Sequence, residues 1–186
     1  MTTLRAARAA AAPLGAGLTA GLLVLSLGSP AGAAVRVAED PVGDTAGHAH
    51  GTGDVTKLRI KHAPRALRMI AFHAEDSRLS DVQAFIIDTD ADAAGPEYTL
   101  GTGIGEGGSW HLYRADGWTG VLGDALCKGR NDWDRKKSRM KVVVPRSCLG
   151  KPARVRVNLV TSNDYPGTPV DHAPGKRRYS RWVVAG

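Results

Sequence analysis

Phenylalanine and cysteine each occur only twice in 186 residues, against four tryptophans and four tyrosines. With so little Phe, the indoles and phenols must either fill the core themselves or lie exposed where they can stack on sugar rings. The two cysteines, Cys127 and Cys148, match no zinc-ligand spacing. Helical periodicity is missing as well. After the N-terminal segment no window holds apolar residues at i, i+3, i+4 and i+7 without Gly or Pro intruding. The sequence has no internal repeat, no P-loop and no G-x-S-x-G elbow, so nucleotide-phosphate and α/β-hydrolase chemistry lack their signatures. After Leu27 no second long apolar run follows, and the rest of the chain is expected to be soluble.

What is present begins with a three-part leader. Arg5 and Arg8 are followed by an apolar stretch from Leu14 to Leu27 and by Ala31-Gly32-Ala33. This layout predicts a secretory signal peptide over residues 1–34, cut after Ala33 or Ala34. A membrane anchor is the alternative, but the run is interrupted by Gly15, Gly17, Thr19 and Gly21 and is shorter than the ~20 apolar residues a spanning helix needs. The product is expected to be secreted, at the cell envelope or beyond it, and free of the membrane after cleavage. No cysteine near the cut offers a lipid attachment point. Residues 35–186 suit a single domain with a core of its own.

That domain carries 23 basic and 18 acidic side chains. The excess favours anionic surfaces such as cell-wall or other extracellular polymers, with ordinary solubility charge as the alternative. In an oxidising compartment Cys127 and Cys148 are expected to form one disulfide. The closed loop of about 22 residues would contribute roughly 3 kcal/mol in the chain-entropy model.

Residues 55–62 alternate Leu58 and Ile60 against Lys57, Arg59 and Lys61, a half-buried strand. A turn at 62–65 leads to a second strand over 66–73, making a hairpin. Val82 to Asp88 is apolar on both faces apart from Gln83, which places it in a sheet centre. Further strands are expected over 97–100, 110–114, 118–122, 131–134, 139–144, 154–161 and 178–184, with loops over 38–54 and 163–176. Eight to ten closely spaced strands predict an all-β antiparallel sandwich.

The strongest chemical signal is the acidic run Asp88, Asp90 and Asp92, followed by Gly95, Pro96 and Glu97. Alternating carboxylates on a bend can converge on calcium, which takes six to eight oxygen ligands. A solvated acidic loop is the alternative. Asp40, Asp44 or Asp54 could complete the same site from the N-terminal segment, or Asp40 and Asp44 could form Asx turns. His48 and His50 lack further ligands at zinc spacing. Gly103 to Gly108 spells G-x-G-x-x-G, but a strand follows it, so no helix N-terminus is there to receive a pyrophosphate. Asp171-His172 is two-thirds of a triad without a placed serine. Trp110 and Trp182 fall inside strands and are assigned to the core, while Trp118 and Trp133 are the candidate ligand-binding aromatics. The basic clusters 135–137 and 176–178 lie in turns, which argues against nucleic acid as a partner.

Taken together, Asp40-Pro41-Val42-Gly43-Asp44, the strand from Gly53 to His62, Ile86 to Tyr98, Val144 to Gly150 and the closing Arg181-Trp182-Val183 resemble a group of small exported β-sandwich proteins of high-GC Gram-positive bacteria, a group without an assigned activity. The loop from Ile86 to Tyr98 is also similar to loops of carbohydrate-binding-module-9-like and DOMON-like sandwiches, where in some cases it holds calcium. The expected function is a secreted, non-catalytic binding or accessory module, possible calcium included. The alternative is a metal-dependent secreted hydrolase built on the Asp88–Glu97 loop with His111 or His172 in reach, and a purely structural exported protein is a third.

Overall fold

A computed structural model describes residues 33–45, 53–74, 82–103, 108–162 and 169–186. Nearly all of the expected signal segment, and His48 and His50, lie outside these residues. Residues 31–186 form one compact unit.

Strict alternation builds the smaller sheet. Strand β1 (Ala34–Glu39) pairs antiparallel with β2 (Val55–His62), and β2 with β3 (Ala66–His73). In β2, Leu58 and Ile60 are buried, and in β3 Leu67, Met69 and Ala71. The intervening cations remain in water, as period-two patterning requires.

The larger sheet has the order β11-β10-β4-β5-β6-β7. Its strands are β4 (Val82–Asp88), β5 (Tyr98–Gly103), β6 (Ser109–Asp116), β7 (Gly120–Arg130), β10 (Arg154–Ser162) and β11 (Pro169–Ala173). Strand β4, apolar apart from Gln83 and the terminal Asp88, lies between β10 and β5, the interior place its composition predicts. Strand β8 (Asp132–Asp134) and β9 (Arg139–Pro145) complete the smaller sheet as β1-β2-β3-β9-β8, and β12 (Val183–Val184) joins β10.

The core lies between the sheets. Phe85, Ile87, Leu100, Leu112, Val155, Val157 and Leu159 meet Leu58, Ile60, Leu67, Met69, Met140, Val142 and Val144. Each such aliphatic or aromatic side chain contributes about 1.5–3 kcal/mol by leaving water. Trp110 fills the scarcity of Phe, at 2% exposure. It needs Gly129 on the neighbouring strand, because a Cβ there would sit 2.5 Å from the indole Cζ2. The expected disulfide is present. Cys127 on β7 bonds Cys148 in the 3₁₀ turn Arg146–Leu149, with Cα atoms 6.0 Å apart, and so joins one sheet to the other.

Three expectations need correction. Strand β7 runs eleven residues where only 118–122 was expected, since its glycines and exposed side chains hide the pattern. Strand β11 occupies a segment expected to be loop, and β1, for which no strand was expected, runs two residues into the expected loop over 38–54; both are edge strands with one paired side. The last strand is two residues long, and Trp182 is half-buried outside the core cluster. Tyr179 and Trp182 stack on arginines instead of continuing a ladder. Among the described residues no helix is long and apolar enough to cross a membrane.

Candidate functional site

The two sheets bring carboxylates together at one edge of the sandwich. Strand β1 ends at Glu39, and the N–H of Asp40 donates to the Thr56 carbonyl at 3.0 Å. The chain then turns through Gly43, whose φ of +83° suits glycine. The Gly43 N–H donates to Asp54 Oδ2 at 2.9 Å. From the larger sheet, Asp171 on β11 arrives buried. Its Oδ2 accepts the Val55 N–H at 2.7 Å, and its Oδ1 accepts the His172 N–H at 2.6 Å.

Oxygens of Asp40, Asp44 and Asp171 lie within 4.8 Å of one another. Asp40 is only 8% exposed, and neither of its carboxylate oxygens has a hydrogen-bond donor among the described residues. One oxygen of the buried Asp54 is in the same condition. Burial pushes the Asp40 carboxyl up to about 7, with repulsion from Asp171, Asp44 and Asp54 adding to it. Burial also pushes Asp171 up to about 6, against the two N–H donors that hold it down. Buried, crowded carboxylates of this kind require compensation by a proton or a cation.

The Asp88–Glu97 loop is arranged differently. Asp88 is fully buried and held by Arg156, Nη2 at 2.6 Å and Nε at 2.7 Å. It also accepts the Asp90 N–H at 3.1 Å. Burial raises its carboxyl above the usual range, and Arg156 works against that rise. Glu97 Oε2 accepts the N–H of Thr89 at 2.6 Å, the Thr89 hydroxyl at 3.1 Å and the N–H of Asp90 at 3.2 Å. Asp92 donates its N–H to Asp90 Oδ1 at 3.0 Å. Asp40 and Asp44 thus meet Asp171, while Asp88 and Glu97 are engaged by protein donors.

The candidate aromatics have neighbours of their own. Trp118 stacks on Tyr179 with ring centroids 4.6 Å apart. Tyr179 in turn faces the Arg156 guanidinium at 4.6 Å, which faces Trp182 at 4.6 Å, which faces Arg154 at 4.5 Å. This ladder of alternating aromatic and cationic groups fastens the C-terminal segment to β10. Trp133 packs against the core and sets its ring edge-on to His73, centroids 5.5 Å apart.

The outer face of the smaller sheet carries a set of cations. Cross-strand register sets Lys61 opposite Arg68 and Arg59 opposite Ile70, with Val143 opposite Arg68 and Lys141 opposite Ile70. The cations at its rim have acidic partners: Lys57 with Glu39 at 3.6 Å, Arg139 with Asp134 at 3.2 Å, and Lys141 with Asp132. Arg59, Lys61 and Arg68 have no acidic partner among the described residues, and with Ile70 they line a shallow groove of about 120 Å³.

Sequence reasoning named Asp40, Asp44 and Asp54 but did not join Asp171 to them, because β11 was not recognised and its inward register was therefore invisible. Lys57, Arg59 and Lys61 were legible as one strand face. That Arg68 lies against them depends on a register the sequence implies only through the hairpin. Compared with protein-family models, with curated proteins and with solved structures, the chain gives no match.

Proposed function

We propose that the protein is a secreted, non-catalytic binding module whose smaller sheet receives an anionic polymer of the cell envelope or its surroundings. The observation that carries this reading is the directly opposed pair Lys61 and Arg68, extended by Arg59 and left without acidic partners among the described residues. Like charges opposite one another on a sheet destabilise it. Here three cations share one face, and the rim cations beside them are neutralised. An anionic ligand offsets that repulsion. Cations two residues apart along a strand are spaced by roughly 6.7 Å, which suits a polymer carrying one charge per sugar-sized repeat. Ile70 and Val143, interleaved among the cations, offer apolar contact to the faces of its rings.

The hydrolase alternative gains no support from the Asp88–Glu97 loop, where Asp88 and Glu97 are already engaged by protein donors. Retention on an immobilised wall polyphosphate or acidic polysaccharide tests the binding reading. Retention should weaken steeply between low and physiological salt, where surface charges are screened over about 8 Å. The triple variant Arg59→Ser, Lys61→Ser, Arg68→Ser should melt no lower than the native protein, since the repulsion is gone, and lose at least about tenfold in affinity. No retention of the native protein on any acidic polymer would overturn the proposal. So would undiminished retention of the triple variant, or equally tight binding to double-stranded DNA.

A further inference from the structure

We propose that Asp40, Asp44 and Asp171, with Asp54 bracing the turn that carries Asp44, hold a calcium ion that ties the two sheets together at the edge opposite the disulfide. The cluster alone would be ordinary surface acidity. The added observation is Asp40, more than nine-tenths buried, with both carboxylate oxygens lacking a donor and grouped with those of Asp44 and Asp171. A carboxylate withdrawn from water without hydrogen bonds is costly unless an ion takes their place. Asp54 adds a second buried oxygen in the same condition, while its other oxygen fixes the Gly43 turn that carries Asp44. Asp171 is oriented by the Val55 N–H, so a residue of the larger sheet is held directly by the first residue of β2.

Donor chemistry selects the ion. Every side chain in the set offers carboxylate oxygen, and neither Cys nor His belongs to it. Zinc prefers nitrogen and sulfur ligands, whereas hard oxygen sets suit calcium. Magnesium demands a tight octahedron and keeps its waters, which three carboxylates crowded onto one site do not favour. The position gives the ion its role. In the larger sheet β11 and β7 are the two edges, and Cys127 already clamps β7 to the turn after β9. The ion clamps β11 to the β1–β2 connection at the other edge. Two of the ligands, Asp40 and Asp44, lie just past the end of β1 and the third on β11, so the ion links one sheet to the other.

The test is thermal unfolding of the purified protein, disulfide intact, in EDTA and in calcium, with isothermal titration for stoichiometry. Extracellular modules bind calcium with constants on the order of 0.1–1 mM. At about a hundred times the dissociation constant the melting temperature should rise by roughly 5–10 °C, with one ion bound. Magnesium at equal concentration should raise it less. Asp44→Asn, at an exposed turn, should lose most of the rise without lowering the EDTA value, since its charge repels Asp40 and Asp171. Asp40→Asn should also lose it, yet melt higher in EDTA, because repulsion is removed and no hydrogen bond is lost; a purely structural aspartate would do the reverse. Asp90→Asn with Asp92→Asn should keep the full rise. No rise at about 10 mM calcium would overturn the proposal. So would a rise that survives Asp44→Asn and Asp40→Asn, one abolished by the Asp90 and Asp92 changes, or one matched by magnesium. None of these readouts depends on polymer binding, so the two proposals fail separately.

Discussion

Replacing Arg156 by Met should be among the most damaging single changes outside the core. Asp88 is fully buried and takes two of its three hydrogen bonds from this guanidinium. Removing one partner of a buried ion pair costs about 3–5 kcal/mol, because a buried charge is left uncompensated. Arg156 also stands between Tyr179 and Trp182, each ring 4.6 Å away. Two such contacts at a partly exposed site add about 0.5–1 kcal/mol each. Protonation limits the loss. Neutralising a carboxyl of ordinary pKa at pH 7 costs about 4 kcal/mol, so the charge part cannot exceed that. The expected loss is therefore about 4–6 kcal/mol at pH 7, measured by equilibrium urea unfolding. At pH 5 the loss should shrink by up to about 2.7 kcal/mol, because the proton that relieves Asp88 is then easier to bind. Arg156→Met combined with Asp88→Asn should recover most of the stability. A loss below about 1 kcal/mol for Arg156→Met, or a double variant no better than the single, would refute the reasoning.

Replacing Cys127 and Cys148 together by Ala should cost about 3 kcal/mol, or roughly 6–12 °C in melting temperature, read by calorimetry with and without reductant. His73 makes stability depend on pH: burial pushes its pKa down to about 4, so the unfolded chain binds more protons between pH 6.5 and 4. Its contribution is complete above pH 6.5 and falls by about 3 kcal/mol as the pH drops to 4, and His73→Gln should flatten the difference in urea midpoints over that window.

The two-sheet fold was legible because alternation is a local property. Leu58 and Ile60 against Lys57 and Arg59 fix a strand and its buried face without reference to anything distant. The largely apolar β4 announced an interior place for the same reason. Edge strands were less legible. β1 and β11 pair on one side only, and β7 spends its length on glycines and exposed residues. The acidic site failed at that point: Asp40 and Asp44 were visible, but their neighbour lay on an unrecognised edge strand 131 residues beyond Asp40. The Asp88 run drew attention through density of charge, yet what a carboxylate does depends on its partner. Arg156, its cross-strand neighbour on β10, cannot be inferred from the loop alone.

The pairing of β3 with β9 and of β4 with β10 reaches across roughly seventy residues of chain in both sheets, which makes assembly non-local and slow to nucleate. Each layer borrows a central strand from the C-terminal half. A fragment ending after β8 would therefore not be a smaller version of this molecule. It would be two unfinished layers, each offering a long apolar flank to any extended chain nearby. A cut between β8 and β9 in the folded molecule leaves both pieces joined through Cys127 and Cys148, so such a fragment arises only by truncation or after reduction.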